Sequence, residues 1–107
     1  MPPRQPFSIV YDDQVKQHLR VIDTKLHSLI RAAIVGQLTH EPDVETRNRK
    51  TLERPILADA TWELRCGPDN RYRVFYKLET NTHSVVIVAV GVKIGNRLFI
   101  GGIEVKS

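Results

Sequence analysis

The chain has 107 residues, a length that suits one domain with a single hydrophobic core. Its hydrophobic fraction of 41% is ordinary for a globular protein. No apolar run approaches the ~20 residues that span a membrane, and the N-terminal residues lack the apolar stretch of a secretion signal. The single cysteine excludes an internal disulfide and a cysteine-based metal site. We therefore expect a cytoplasmic protein that uses no metal, cofactor or membrane contact.

The positive charge lies in the second half of the chain. Residues 1–46 hold 5 basic and 6 acidic groups, whereas residues 47–97 hold 10 basic and 5 acidic groups. A local excess of this kind favours a polyanionic partner, either nucleic acid or an acidic protein segment. A solvated basic surface without a partner is the alternative.

The first third of the chain reads as one strand followed by helix. Residues 7–12 alternate with Phe7, Ile9 and Tyr11 on one face, as in a strand. Asp12 or Asp13 can then cap a helix. The helical spacing fits one long helix or a pair, and we expect a pair with a break near residues 23–24. The apolar positions of this pattern are Val15, Leu19, Ile22, Leu26, Ile30, Ala33, Ile34 and Leu38.

Residues 39–60 are irregular in pattern and rich in charge. Four basic residues fall within eight positions, namely Arg47, Arg49, Lys50 and Arg54. They can form a solvated loop or a clamp for a nucleic-acid backbone.

Residues 61–79 predict a hairpin whose turn is residues 67–70, Gly-Pro-Asp-Asn. Alternation puts Trp62, Leu64 and Cys66 on a core face. The opposite face is expected to be a charged surface with a single aromatic, and it carries Glu63, Arg65, Arg71, Arg73, Phe75 and Lys77.

Residues 84–91 form a continuous β-branched run, which is typical of a central strand buried on both faces. A Gly95–Asn96 turn, a short apolar stretch and a polar tail follow. The predicted fold is α+β with two layers, a mostly antiparallel four-stranded sheet with an N-terminal helix pair on one face. No linker or repeat divides the chain, so residues 1–107 are expected to be one domain.

Antiparallel pairing of these strands predicts a cationic site. Arg65 and Arg73 lie near the hairpin turn, and the central strand would bring Lys93 and Arg97 to the same end of the sheet. Phe75 and Phe99 could supply surfaces for base stacking. Glu63 could act as a general base or hold the arginines by ion pairs. No pair of histidines has the spacing of a metal site.

Four motifs in this order resemble toxins of the RelE/ParE superfamily, from bacterial toxin–antitoxin pairs. They are residues 45–50 (Glu-Thr-Arg-Asn-Arg-Lys), 62–65 (Trp-Glu-Leu-Arg), 72–76 (Tyr-Arg-Val-Phe-Tyr) and 89–102, which runs from Ala89 to Gly102. The resemblance covers roughly residues 7–104. It implies a RelE-like toxin domain and a cognate antitoxin that neutralises it in a hetero-oligomer.

For the RelE branch the resemblance implies ribosome-dependent cleavage of messenger RNA, and for the ParE branch poisoning of DNA gyrase. Arg73 matches the family's phosphate-contacting arginine, and Lys93 a basic position after the Val-Gly of the last central strand. Phe99 stands where RelE-type toxins often have a tyrosine, and Thr61 and Glu63 stand where the best-known ones have lysines.

The sequence thus favours a metal-independent endoribonuclease. Guanidinium groups stabilise the charge of a phosphoryl transition state without needing to titrate. The expected catalytic residues are Arg73, Arg65, Lys93 and Glu63, and the expected RNA-binding residues are Arg47, Arg49, Lys50, Arg71, Phe75, Arg97 and Phe99. A gyrase-directed toxin, or a homologue that only binds its antitoxin or RNA, remains the alternative.

Overall fold

The computed structural model describes residues 5–54, 56 and 59–106. It is an α+β structure in two layers, as the sequence predicts, with helices packed on one side of a single sheet. The helices are α1 (Val15–Arg20) and α2 (His27–Leu38), and the strands are β1 (Ser8–Tyr11), β2 (Arg49–Thr51), β3 (Trp62–Cys66), β4 (Tyr72–Glu79), β5 (Ser84–Ile94), β6 (Arg97–Ile100) and β7 (Ile103–Val105).

The sheet is organised around β5, the β-branched strand predicted to be central. Its order is β2-β3-β4-β5-β6-β7, with every pair antiparallel, and β1 pairs with β5 in parallel. β4 occupies one edge of β5, while β1 and β6 share the other edge, at residues 84–87 and 91–94. Most of β5 is therefore inaccessible to solvent, which explains its unbroken apolar sequence.

The main core lies between the helices and the side of the sheet that carries Leu64, Val74 and Val90, which we call the helix face. All eight apolar positions of the helical pattern pack into this core or against it. Cys66 also lies here, as predicted, and burial raises the pKa of its thiol to about 11. The 3.6-residue period therefore identified the buried stripe correctly.

The predicted helix pair is wrong in its proportions. α1 has only six residues and α2 has twelve. The break falls where it was expected, since a single 3₁₀ turn at Thr24–Leu26 separates them and the Asp23 carboxylate accepts a hydrogen bond from the Lys25 amide at 3.2 Å. The His27 Nε2 lies 2.8 Å and 2.9 Å from the carbonyl oxygens of Leu19 and Ile22, so it ties the end of α1 and the backbone just after it to the start of α2.

The prediction of a four-stranded sheet is also wrong, because the sheet has seven strands among the described residues. The additional strands are the short ones, β2, β6 and β7. The Arg-Lys-Thr sequence of β2 has no apolar alternation, so only its pairing with β3 makes it a strand. Gly101 and Gly102, at φ of 62° and 81°, form a tight turn that folds the supposed polar tail back as β7.

The other side of the sheet, the far face, is not only charged. A second apolar cluster lies on it, formed by Ala60, Phe75, Val88, Ala89 and Ile100, and the loop after β2 covers this cluster with Leu52 and Ile56. Phe75 is fully buried there. The prediction of a solvated surface therefore holds for only part of this face.

Candidate functional site

Strand register places a row of basic side chains on the far face. Arg65 lies directly opposite Arg73, and Arg73 directly opposite Gly91. Side chains of directly paired residues point to the same side of a sheet. Because Gly91 has no side chain, the β5 neighbour of Arg73 adds no bulk beside its guanidinium.

Glu63 holds the two arginines together. The Nε of Arg65 and the Nη1 of Arg73 each donate to the same Glu63 oxygen, Oε1, at 3.0 Å. The Arg73 side chain is only 14% exposed and that of Glu63 12%, whereas that of Arg65 is 38% exposed. Arg73 also donates to the carbonyl of Asn70 at 3.1 Å. Its guanidinium is thus fixed from two sides, while Arg65 faces solvent more freely.

Three of the predicted basic residues line one polar cavity of about 250 Å³, which we call the Arg73 cavity. Its lining consists of Arg71, Arg73, Lys93, Asp69, Asn70 and Gly95. Arg71 and Lys93 are adjacent because the Lys93 amide donates to the Arg71 carbonyl at 2.7 Å. The cavity therefore concentrates three cations where an anion the size of a phosphate could bind.

The turn between β3 and β4 shapes one wall of this cavity. Gly67, Asp69 and Asn70 all have positive φ values, of 81°, 58° and 51°. A Cβ on Gly67 would stand 2.5 Å from the Tyr72 ring, so this position requires glycine. The sequence identified this turn correctly but did not place Asp69 in the lining of the cavity.

Arg97 and Phe99 were predicted at this site, and the prediction is wrong for both. Arg97 pairs with Ile94 and Phe99 with Val92, so both side chains lie on the helix face, on the opposite side of the sheet from Lys93. Arg97 forms an ion pair with Glu104 at 2.7 Å, and its guanidinium lies 5.3 Å from the centroid of the Phe99 ring. The two-residue turn after Ile94 fixes this register, and it puts Arg97 on the face of Ile94 and Phe99 on the face of Val92.

Arg49 and Phe75 were also expected to bind RNA, and this prediction is wrong because both side chains are buried. Arg49 is 5% exposed, on the helix face, and its guanidinium donates to the backbone carbonyls of Val44 and Gln37. It thus ties the loop before β2 to the end of α2 and has no freedom to bind RNA. Phe75 belongs to the second apolar cluster and offers no surface for stacking.

Lys50 and Arg47 are exposed, as a nucleic-acid contact requires. Lys50 pairs with Glu63 across β2 and β3, so it lies on the far face in the row next to that of Arg65 and Arg73. Arg47 lies in the loop just before β2.

Three of the histidines, His18, His27 and His83, have structural contacts within the protein. His18 and His27 bind backbone groups, and His83 stacks on Phe7 with 3.8 Å between ring centroids. Within the described residues no three His, Cys, Asp or Glu side chains form a group that could hold a metal ion. In the same part of the chain no helix is long and apolar enough to cross a membrane.

Neither a protein-family model nor a curated protein sequence matches the chain. A solved structure with a similar fold is that of the toxin–antitoxin complex RelBE2 from Mycobacterium tuberculosis. The superposition has a TM-score of 0.65 at 23% sequence identity and covers 82% of this chain and 99% of that chain. This likeness, together with the helix layer on a mostly antiparallel sheet, shows that the chain has a RelE-like fold.

Proposed function

We propose that this protein is the toxin of a type II toxin–antitoxin pair and that it inhibits translation in the cytoplasm by cleaving messenger RNA at the ribosome. The observation that carries the proposal is the Arg73 cavity, where Arg71, Arg73 and Lys93 converge and where Glu63 holds Arg73 next to Arg65. The RelE-like fold adds support, since the similar solved chain comes from a toxin–antitoxin complex.

The chemistry needs only side chains of this chain, the substrate and solvent water. The 2′-oxygen of a ribose attacks the adjacent phosphorus and gives its proton to a base, and the bond from phosphorus to the 5′-oxygen breaks. The departing 5′-oxygen takes a proton from water, which leaves a 2′,3′-cyclic phosphate and a 5′-hydroxyl. The phosphoryl oxygens gain negative charge in the transition state, and Arg73 with Lys93 stabilises it. The guanidinium of Arg73 is already oriented, so little reorganisation is required.

Two carboxylates are candidate acceptors for the proton of the 2′-hydroxyl. Glu63 already accepts hydrogen bonds from two guanidinium groups on one oxygen, and its role is therefore to position Arg65 and Arg73. The exposed Asp69 lines the Arg73 cavity, and we assign it as the candidate base for the 2′-hydroxyl.

The test is induction of the protein alone in a bacterial host, followed by mapping of transcript 5′ ends on translated and untranslated messages. New 5′ ends on translated messages, absent with Arg73→Ala, are expected. Arg97→Ala is the matched control, because it removes an exposed arginine on the other side of the sheet.

A gyrase-directed toxin is the second candidate. One observation favours it: the described lining of the Arg73 cavity contains no tyrosine or histidine that could protonate the leaving oxygen. Growth arrest with intact transcripts and with DNA broken at gyrase sites would establish this function and exclude the nuclease. If induction causes neither growth arrest nor transcript cleavage, the remaining interpretation is a homologue that only binds its antitoxin or RNA.

The antitoxin is proposed to cover the basic far face or the helices with an acidic, partly disordered segment. The motivation is the charge of residues 47–97, 10 basic against 5 acidic groups. Such an encounter is steered electrostatically, so the association rate should fall as ionic strength rises. A rate independent of salt would remove this argument.

A further inference from the structure

A second cavity lies on the far face and shares Lys93 with the Arg73 cavity. It has a volume of about 400 Å³, and we call it the Lys106 cavity. Its lining consists of Arg54, Ile56, Lys93, Asn96, Leu98, Val105 and Lys106. The volume falls within the range of pockets that hold small organic groups.

The floor of the Lys106 cavity is apolar and well supported. Lys93 pairs with Leu98 and Leu98 with Val105, so these three side chains form one row across β5, β6 and β7. Leu98, Val105 and Ile56 are partly buried and pack on the second apolar cluster beneath them. They therefore expose a fixed apolar surface at the bottom of the cavity.

The rim of the Lys106 cavity is cationic. Arg54, Lys93 and Lys106 contribute three positive groups, and no acidic residue is found among the described residues of the lining. None of these three cations has an ion pair in the described part of the chain. An apolar floor with a cationic rim matches the two parts of a nucleotide, a flat base and a phosphate.

We propose that the Lys106 cavity binds the base of a nucleotide next to the scissile phosphate, with Lys93 between the two sites and Lys106 and Arg54 on the neighbouring phosphate. The proposal rests on the proposed function, since it places the cleaved phosphate in the Arg73 cavity. It makes the substrate a single strand, because a base can enter this cavity only when it is unpaired and unstacked.

Binding is to be measured by fluorescence anisotropy with a labelled 2′-O-methyl tetranucleotide, which lacks the attacking hydroxyl and stays intact. A second probe is identical except for one abasic position, and four such probes cover the four positions. We expect one abasic position to weaken binding to the wild type by about tenfold, which corresponds to burial of roughly 50–60 Å² of the base against the apolar floor.

The protein variants test the same cavity from the other side. Lys106→Ala should reduce the slope of log affinity against log salt by about 0.7, the value for one phosphate contact on a single strand. Lys25→Ala is the matched control, because Lys25 is an exposed lysine in the 3₁₀ turn between the helices and does not line the cavity. The salt slope of the Lys25→Ala protein should equal that of the wild type. Val105→Thr keeps a β-branched residue in β7 and should reduce the difference between intact and abasic probes.

The inference is overturned if every abasic probe binds the wild type as tightly as the intact one and Lys106→Ala keeps the full salt slope. If Arg73→Ala still loses binding in that experiment, only the second site is wrong. If Arg73→Ala also binds normally and transcripts stay uncut, the proposed function fails as well. Displacement of the probe by a decaglutamate peptide, lost in Lys106→Ala while intact and abasic probes bind alike, would assign the cavity to an acidic protein and also overturn the inference.

Discussion

Arg65 and Arg73 lie directly opposite each other on β3 and β4, and both donate to one oxygen of Glu63 at 3.0 Å. Like charges in directly opposed positions of a sheet are destabilising. The carboxylate of Glu63 offsets this repulsion and fixes the direction of both guanidinium groups. The basic row on the far face therefore depends on one acidic residue.

Arg73→Ala should abolish activity and spare the fold. The change removes a guanidinium from the Arg73 cavity, and Glu63 keeps its ion pair with Arg65, so the melting temperature should fall less than in Glu63→Gln. Loss of one preorganised donor to the transition state should reduce the cleavage rate by about 10²–10³. Arg73→Lys should restore only part of it, since an ammonium lacks the planar fork. Cleavage assays with thermal melts in parallel give the answer, and full activity in a folded Arg73→Ala protein would mean that the site is misplaced.

Glu63→Gln should lower stability, and salt should restore part of the loss. The amide cannot neutralise the two arginines, and both Glu63 and Arg73 are largely buried. We expect a cost on the order of 2 kcal/mol in the free energy of unfolding at low salt, as for hydrogen bonds to charged groups. Denaturant unfolding at low and high ionic strength measures it, since screening weakens the remaining repulsion.

The control for Glu63→Gln is Glu79→Gln. Glu79 is an exposed partner of Lys77 at 3.4 Å, and its loss should leave unfolding unchanged. Equal unfolding curves for wild type and Glu63→Gln at low salt would show that Glu63 does not support the arginine pair.

Acid should weaken the fold through His18, which is 7% exposed. Its Nδ1 accepts a hydrogen bond from the Val90 amide at 3.3 Å. Val90 lies on the edge of β5 between the residues paired with β1 and those paired with β6, so neither strand binds its amide. Burial lowers the pKa of His18 below its ordinary value of 6.5, and Asp12 partly opposes this shift. The unfolded chain therefore binds a proton before the folded one does, so stability is complete above pH ~6.5 and declines as the pH falls below it.

Unfolding by denaturant between pH 5 and 8 measures this effect of His18. His18→Gln keeps an acceptor that cannot titrate and should flatten the decline, whereas His40→Gln changes an exposed histidine and should not. A decline of the same size in His18→Gln and wild type would assign the pH dependence to other groups.

Trp62 is expected to report on the packing of the hairpin against the helices. It is half-buried, packs against the main core and stacks on Tyr76 with 5.9 Å between ring centroids. Because it is the only tryptophan, the native protein should show a blue-shifted emission that iodide quenches weakly. Trp62→Ala should cost about 3 kcal/mol of stability, the low end for a large core residue. A red-shifted emission that iodide quenches readily would place the ring in solvent.

The local features of this protein were predictable from the sequence. Helical and strand periods identified the buried side chains of α1, α2 and β3, because amphipathic packing requires a fixed spacing. Gly67 and its neighbours identified the turn between β3 and β4, since few residues adopt positive φ without strain. Pairing on either side of that turn was enough to bring Arg65 and Arg73 to the same place.

Only the tertiary structure decided which of the predicted RNA-binding residues lie on the far face near Arg73. Register after the Gly95–Asn96 turn sends Arg97 and Phe99 to the helix face, and a shift of one residue would have done the opposite. β2 is a strand only because β3 offers its edge, and this pairing buries Arg49 and exposes Lys50. These outcomes depend on contacts between distant segments, and local periodicity carries no information about which face or edge such a segment will meet.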